Sequence, residues 1–160
     1  NSDATGNKEL EVAILEAGKG FGEDALISNV PRNATIIMNT DGMLMRLSKD
    51  DFIELLKEPI LKSVSYSAAE EMVKEGAAWL DIRLHSEHQN KKIPGSINIP
   101  LFLLRLNANK LSHNNKYIVY CDTGSRSASA TYILNEHGYD AYMLEGGLNE
   151  CSKVGVVSAA

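Results

Sequence analysis

The 160-residue chain is 44% hydrophobic and 23% charged, with 16 basic and 21 acidic residues and a formal net charge of −5. It has no basic block to contact nucleic acid, no apolar run long enough for a transmembrane or signal segment, and too few cysteines for a disulfide framework. A soluble protein of one or two small domains is expected, cytoplasmic by default, with neither nucleic acid nor membrane as partner.

In chain order, residues 9–15 (ELEVAIL) alternate and then turn fully apolar. Gly18, Gly20 and Gly22 follow, and Ala34 to Met38 form a second strand-like run. Ser48, Lys49, Asp50 and Asp51 open a helix through an S-x-x-D box, with Phe52, Ile53, Leu55 and Leu56 as its apolar face, until Pro59 closes it. The stretch F-G-E-D-A-L at 21–26 followed by P-R-N-A-T at 31–35 resembles the phosphate-binding cassette of cyclic-nucleotide-binding domains. That resemblance implies a partial β-roll plus helix over 1–61, and a site for cyclic AMP or cyclic GMP made of Gly22, Glu23, Ala25, Arg32, Asn33 and Ala34. Arg32 would pair with the cyclic phosphate and Glu23 would accept from the ribose 2′-hydroxyl. It covers only the later half of such a domain, so the nucleotide is expected as a regulatory ligand of a longer parent protein. Asn1 in place of an initiating methionine points the same way, to a fragment or a processed terminus.

A short connection from Ile60 to Ser65 places the domain boundary near residue 62. An S-x-x-E box from Ser67 to Glu70 then predicts a helix ending at Gly76. Ala77 to Ile82 reads as a buried strand running into Asp81 and Arg83. His85 and His88 stand three apart without a third ligand cluster, so no metal site is expected. A strand at 97–99 leads into the apolar helical stretch 101–106. Farther on, a strand at 141–144 leads to Gly146 and Gly147, where close backbone approach or a positive φ is needed.

Residues 117–138 carry the chemistry. Tyr117 to Tyr120 form a β-branched and aromatic strand, Cys121 stands at its end, Asp122 to Ser125 turn, and a helix is expected from Ser127 to a left-handed cap at Gly138. Turn amides and a helix amino terminus favour an anion, hence a thiolate, at this point. Arg126 adds a cation suited to an oxyanion. Three readings of Cys121 compete: a buried small hydrophobe, a cysteine phosphatase or arsenate reductase, and a sulfur carrier. The first fits poorly with a glycine-containing turn after the cysteine. The second needs C-x5-R, and the position of that arginine is Ser127.

C-D-T-G-S-R-S at 121–127 resembles the C-x-x-G-x-R-S active loop of single-domain rhodaneses. L-D-I-R at 80–83, I-P-G-S-I-N-I-P at 93–100 and L-E-G-G-L at 144–148 resemble further signatures of that family, in its order. The resemblance implies an α/β fold over 62–160, a parallel sheet with helices on both faces. It also implies catalysis by Cys121 and Arg126 within a cradle of Asp122, Thr123, Gly124, Ser125 and Ser127, with Asp81 and Arg83 bracing the loop. The expected activity is sulfur transfer through a Cys121 persulfide, from thiosulfate or a persulfide to cyanide, a small thiol or a protein acceptor. Neither a metal nor an organic cofactor is required. The alternative is a catalytically silent interaction module of the same fold. Three departures stand out: Lys92 where the family often has histidine, Cys151 where it often has an aromatic, and Asp122 inside the cradle. The Asp122 charge opposes anionic donors, so thiosulfate is expected to turn over less well than a neutral or protein-bound persulfide. Cys151 is a candidate resolving thiol.

Overall fold

The computed structural model describes residues 11, 13–28, 31–32, 34–52, 54, 61–153 and 158–159. Among these, the elements in chain order are α1 (Glu23–Ser28), α2 (Lys49–Phe52), β1 (Ser63–Val64), α3 (Tyr66–Lys74), β2 (Ala78–Asp81), α4 (His85–Asn90), β3 (Lys91–Lys92) and β4 (Ile97–Asn98). They continue with α5 (Leu104–Asn107), β5 (Lys116–Tyr120), α6 (Ser125–Glu136), β6 (Asp140–Leu144), α7 (Gly147–Lys153) and β7 (Ser158–Ala159), with short 3-10 turns on either side of α5.

Five strands form a parallel sheet in the order β1-β6-β5-β2-β4, and β3 pairs antiparallel with β7. The most apolar strand, β5, lies at the centre, where both of its faces are covered. Its period-two alternation divides the core. Tyr117, Val119 and Cys121 join Leu80, Leu104, Ile133 and Leu134 on the face covered by α6. Ile118 and Tyr120 join Ala69, Trp79, Leu148 and Cys151 on the face covered by α3 and α7. In the ladder Asp81 stands opposite Tyr120, and Val119 opposite Met143. The D-I-R corner, Cys121 and the double glycine therefore leave the sheet at one edge, outside the strands' carboxyl ends, where open α/β sheets place their sites.

Several boundaries differ from the sequence reading. The N-cap of α3 is Ser65, whose Oγ accepts from the Ala68 N–H at 3.4 Å, not Ser67. Helix α6 starts at Ser125, two residues early, because Gly124 takes φ +98° and turns the chain directly into the helix. Gly138, at φ +81°, ends it as expected. The two runs read as β-roll strands form no strand where they are described, at residues 11, 13–16 and 34–38. No partner strand is paired with them among the described residues, and without a ladder an apolar run is not a strand.

Helix α2 opens as expected, with Ser48 Oγ accepting from the Asp51 N–H at 3.2 Å, but Ile53, Leu55, Leu56 and Pro59 lie outside the described residues. Buried Phe52 joins Ile27 of α1 against Ala128 and Tyr132 of α6. The N-terminal part thus rests on the helix that begins at the cysteine loop. Among the described residues, no helix is long and apolar enough to cross a membrane.

Candidate active site

Strand β5 delivers Cys121 to the sheet edge almost fully buried, at 1% exposure. The left-handed Gly124 folds the loop back, so that its N–H donates to Cys121 Sγ at 3.2 Å. Ser127 Oγ lies 3.6 Å from the same sulfur and donates to the Gly124 carbonyl at 2.9 Å. The Gly124 carbonyl also accepts from the Ala128 N–H at 2.9 Å, the first helical bond of α6. Cys121 Sγ thus faces a backbone donor at the positive end of a 12-residue helix.

The loop is held from behind by α7. Leu148 N–H donates to the Cys121 carbonyl at 2.8 Å and Asn149 N–H to the Asp122 carbonyl at 3.0 Å. Gly147, at φ +57°, makes this possible: a Cβ there would lie 2.3 Å from the Cys121 carbonyl oxygen. Turning these carbonyls outward onto α7 leaves the inner side of the loop to its amides.

Five charged side chains ring the loop. Arg83 donates Nε and Nη2 to the buried Asp81 carboxylate at 3.0 and 2.7 Å, and Nη1 to Asp122 at 3.1 Å. Arg126 forks onto Glu87 through Nη1 and Nη2 at 3.0 and 2.8 Å, and its Nη2 also reaches Asp122 at 2.8 Å. Hydrogen bonding from Arg126 holds the Glu87 carboxyl down at about 2, and Glu87 in turn raises the Arg126 guanidinium above its ordinary value. His88 Nδ1 lies 2.9 Å from Asp81 and completes the buried end of the ring.

A family model of the Rhodanese-like domain matches residues 65–153, and one of the Cyclic nucleotide-binding domain matches residues 2–58. The chain belongs to the rhodanese-like family. It is similar to the thiosulfate sulfurtransferase PspE of Escherichia coli, at 35% identity over 74 residues, 45% of this chain and 71% of that protein. It is also similar to a sulfurtransferase of Allochromatium vinosum, at 28% identity over 75 residues, 46% of this chain and 70% of that protein. Among solved structures, a rhodanese-related protein from Thermoplasma volcanium matches with a TM-score of 0.57 at 33% identity, over 61% of this chain and 97% of that one. These relatives place the rhodanese domain in a sulfurtransferase family.

Within this rhodanese loop the structure brings together Cys121, Asp122, Gly124, Arg126 and Ser127. The other two cradle residues, Thr123 and Ser125, are exposed. Two features were not read from the sequence. Asp122 is balanced by Arg83 as well as by Arg126, and Arg126 is held by Glu87, 39 residues away in the chain. The local signal at Glu87 is that of a helix cap, since its Oε2 accepts from the Leu84 N–H at 2.7 Å. Cys151 lies in the cluster on the opposite sheet face from Cys121, and burial pushes its thiol up to about 11, so it is not placed to resolve a Cys121 persulfide. His85 contacts Asn98 and Gln89. Among the described residues no group of three or more His, Cys, Asp or Glu side chains is placed to hold a metal.

The nucleotide-cassette residues are divided. The Arg32 guanidinium lies against Gly22, where a Cβ would meet it at 2.5 Å. Glu23, 8% exposed, pairs with Arg105 of the rhodanese domain. Ala25 is half-buried and Ala34 exposed, while Asn33 lies outside the described residues.

Proposed function

We propose that the chain is a sulfurtransferase that carries sulfane sulfur as a persulfide on Cys121. The observation that carries this reading is Cys121 Sγ accepting the Gly124 N–H at 3.2 Å at the start of α6. That N–H is placed to donate to sulfur both before and after the outer sulfur arrives. In the first step the Cys121 thiolate attacks the donor's outer sulfur. A new S–S bond forms, and the donor departs with the electron pair as sulfite or as a thiolate. In the second step cyanide or an acceptor thiolate, free or on a protein, takes the outer sulfur and returns Cys121 as thiolate. Ser127, whose hydroxyl now donates to Gly124, can rotate toward the sulfur when it is charged. Asp81 and Arg83 hold the loop from beneath.

The test is the intact mass of the protein after exposure to thiosulfate or an alkyl persulfide, beside Cys121→Ser treated identically. A gain of one sulfur atom on the wild type alone, removed by cyanide or a thiol, is the expected result. No gain with any donor refutes the carrier and leaves a binding module of the rhodanese fold.

The chemistry needs no metal or organic cofactor, and the two unpaired thiols suit the reducing cytoplasm. The match over residues 2–58 supports cyclic AMP or cyclic GMP as a regulatory ligand of a longer parent protein, in a unit divided from the rhodanese domain near residue 62. Titration calorimetry with each nucleotide tests this, and absence of heat with both from the parent protein removes the reading.

A further inference from the structure

We infer that Glu87 and Asp122 set the donor class of this loop by occupying both of its arginines, so that a singly charged sulfur donor is preferred to a dianion such as thiosulfate. The inference rests on the persulfide reading of Cys121. Three carboxylates, Asp81, Asp122 and Glu87, face two guanidinium groups, Arg83 and Arg126, which leaves one net negative charge when His88 is neutral. Both terminal nitrogens of Arg126 already have a carboxylate oxygen within 3.0 Å. Arg83 Nη1 is on Asp122 at 3.1 Å, and its Nη2 is shared between Asp81 and the Lys91 carbonyl. A free guanidinium fork is the natural seat for a sulfonate. Here a sulfonate has to displace Glu87 or Asp122 from Arg126, or lie against their charges. Asp122 is 41% and Glu87 30% exposed at the side chain, so both carboxylates are within reach of a donor in solvent.

A donor with one charge fewer avoids part of this repulsion. The class is an alkyl persulfide, or a thiosulfonate in which an alkyl group replaces one sulfonate oxygen. The loading step is the same for each. The Cys121 Sγ–S bond forms as the donor's bond to its outer sulfur breaks, and sulfite, a sulfinate or a thiolate leaves with the electron pair. No oxidant or reductant is consumed.

Thiosulfate and methanethiosulfonate provide the test, because a methyl group replaces one oxygen and removes one charge at nearly constant shape. Single-turnover loading of Cys121 is followed by intact mass, and the ratio of the thiosulfate rate to the methanethiosulfonate rate is compared between proteins, which cancels the donors' intrinsic reactivities. In Glu87→Gln the ratio is expected to rise about fivefold or more, the scale of one charge removed at short range in partly aqueous surroundings. The amide oxygen of the new side chain can still accept the Leu84 N–H, so the cap of α4 is kept. Asp122→Asn, whose one amide oxygen keeps an acceptor for one of the two arginines, is expected to move the ratio the same way. In the wild type, raising ionic strength is expected to raise the ratio as the repulsion is screened, a readout independent of any variant's folding. A ratio that changes less than twofold with salt and in whichever variants fold overturns the inference. A wild type that loads from thiosulfate, methanethiosulfonate and an alkyl persulfide alike not at all overturns the persulfide reading itself, a separate result.

Discussion

Replacing Gly147 with alanine tests the claim that α7 holds the cysteine loop. At φ +57° a non-glycine residue loses about 1–2 kcal/mol from backbone strain alone. The added Cβ would also lie 2.3 Å from the Cys121 carbonyl oxygen and 2.8 Å from the Asp122 carbonyl carbon and oxygen, all backbone atoms that cannot rotate away. Loop and helix must separate, which breaks Leu148 N–H to Cys121 O and Asn149 N–H to Asp122 O, each worth about 1 kcal/mol net. The sum is about 3–4 kcal/mol, a large share of the roughly 5–15 kcal/mol that holds a domain folded. Gly138→Ala is the internal control. Gly138 is also left-handed, at φ +81°, but a Cβ there meets nothing within 4 Å, so only the backbone cost of about 1–2 kcal/mol applies. Urea unfolding of both variants should separate them by roughly 2 kcal/mol, with Cys121 loading slowed only in Gly147→Ala. Equal destabilisation of the two would show that the loop does not depend on the contact with α7.

Three further outcomes follow from the same geometry. Arg105→Ala leaves the Glu23 carboxylate buried without its cation, a loss of about 3–5 kcal/mol if α1 stays in place. Undocking rehydrates Glu23 at lower cost, so hydrogen exchange should accelerate over residues 23–28 while β5 stays protected; unchanged exchange in α1 would contradict the pairing. Glu87 is held below its unfolded value, so its contribution to stability is complete above about pH 4.5 and is lost as pH falls toward about 2. Stability measured across that window should fall more steeply in the wild type than in Glu87→Gln, and parallel profiles would remove the role given to Arg126. Finally, burial that holds the Cys151 thiol up to about 11 predicts that Cys151 is not alkylated in the native protein at pH 8 and reacts only after unfolding. Labelling of Cys151 under native conditions would refute this.

The glycine pair at 146–147 and the cysteine loop could be read from sequence because each is a local device. Gly124 and Gly147 are needed for the φ values of their own short turns, and C-D-T-G-S-R-S places Cys121, Gly124 and Ser127 within a single loop-to-helix corner. The alternation of Tyr117, Ile118, Val119 and Tyr120 likewise announced a two-faced buried strand, since side chains on a strand have period two. The N-terminal runs have strand composition, but where they are described, at residues 11, 13–16 and 34–38, they are paired in no ladder, which needs a neighbour that composition does not supply.

The sequence by itself determined the family, the cysteine and the turn that holds it. Tertiary structure alone decided the electrostatics. Arg83 with Asp122 and Arg126 with Glu87 each join residues 39 apart, and Glu23 with Arg105 joins residues 82 apart. The first two pairings exist because β2 lies beside β5, which brings the D-I-R corner and the helix after it against the loop. The third joins α1, which packs on α6, to Arg105 of α5. An arginine's charge is fixed by its residue type, but whether that charge is free for a substrate depends on which carboxylates the fold brings within about 3 Å, and neighbours in space are set by strand order rather than by position along the chain.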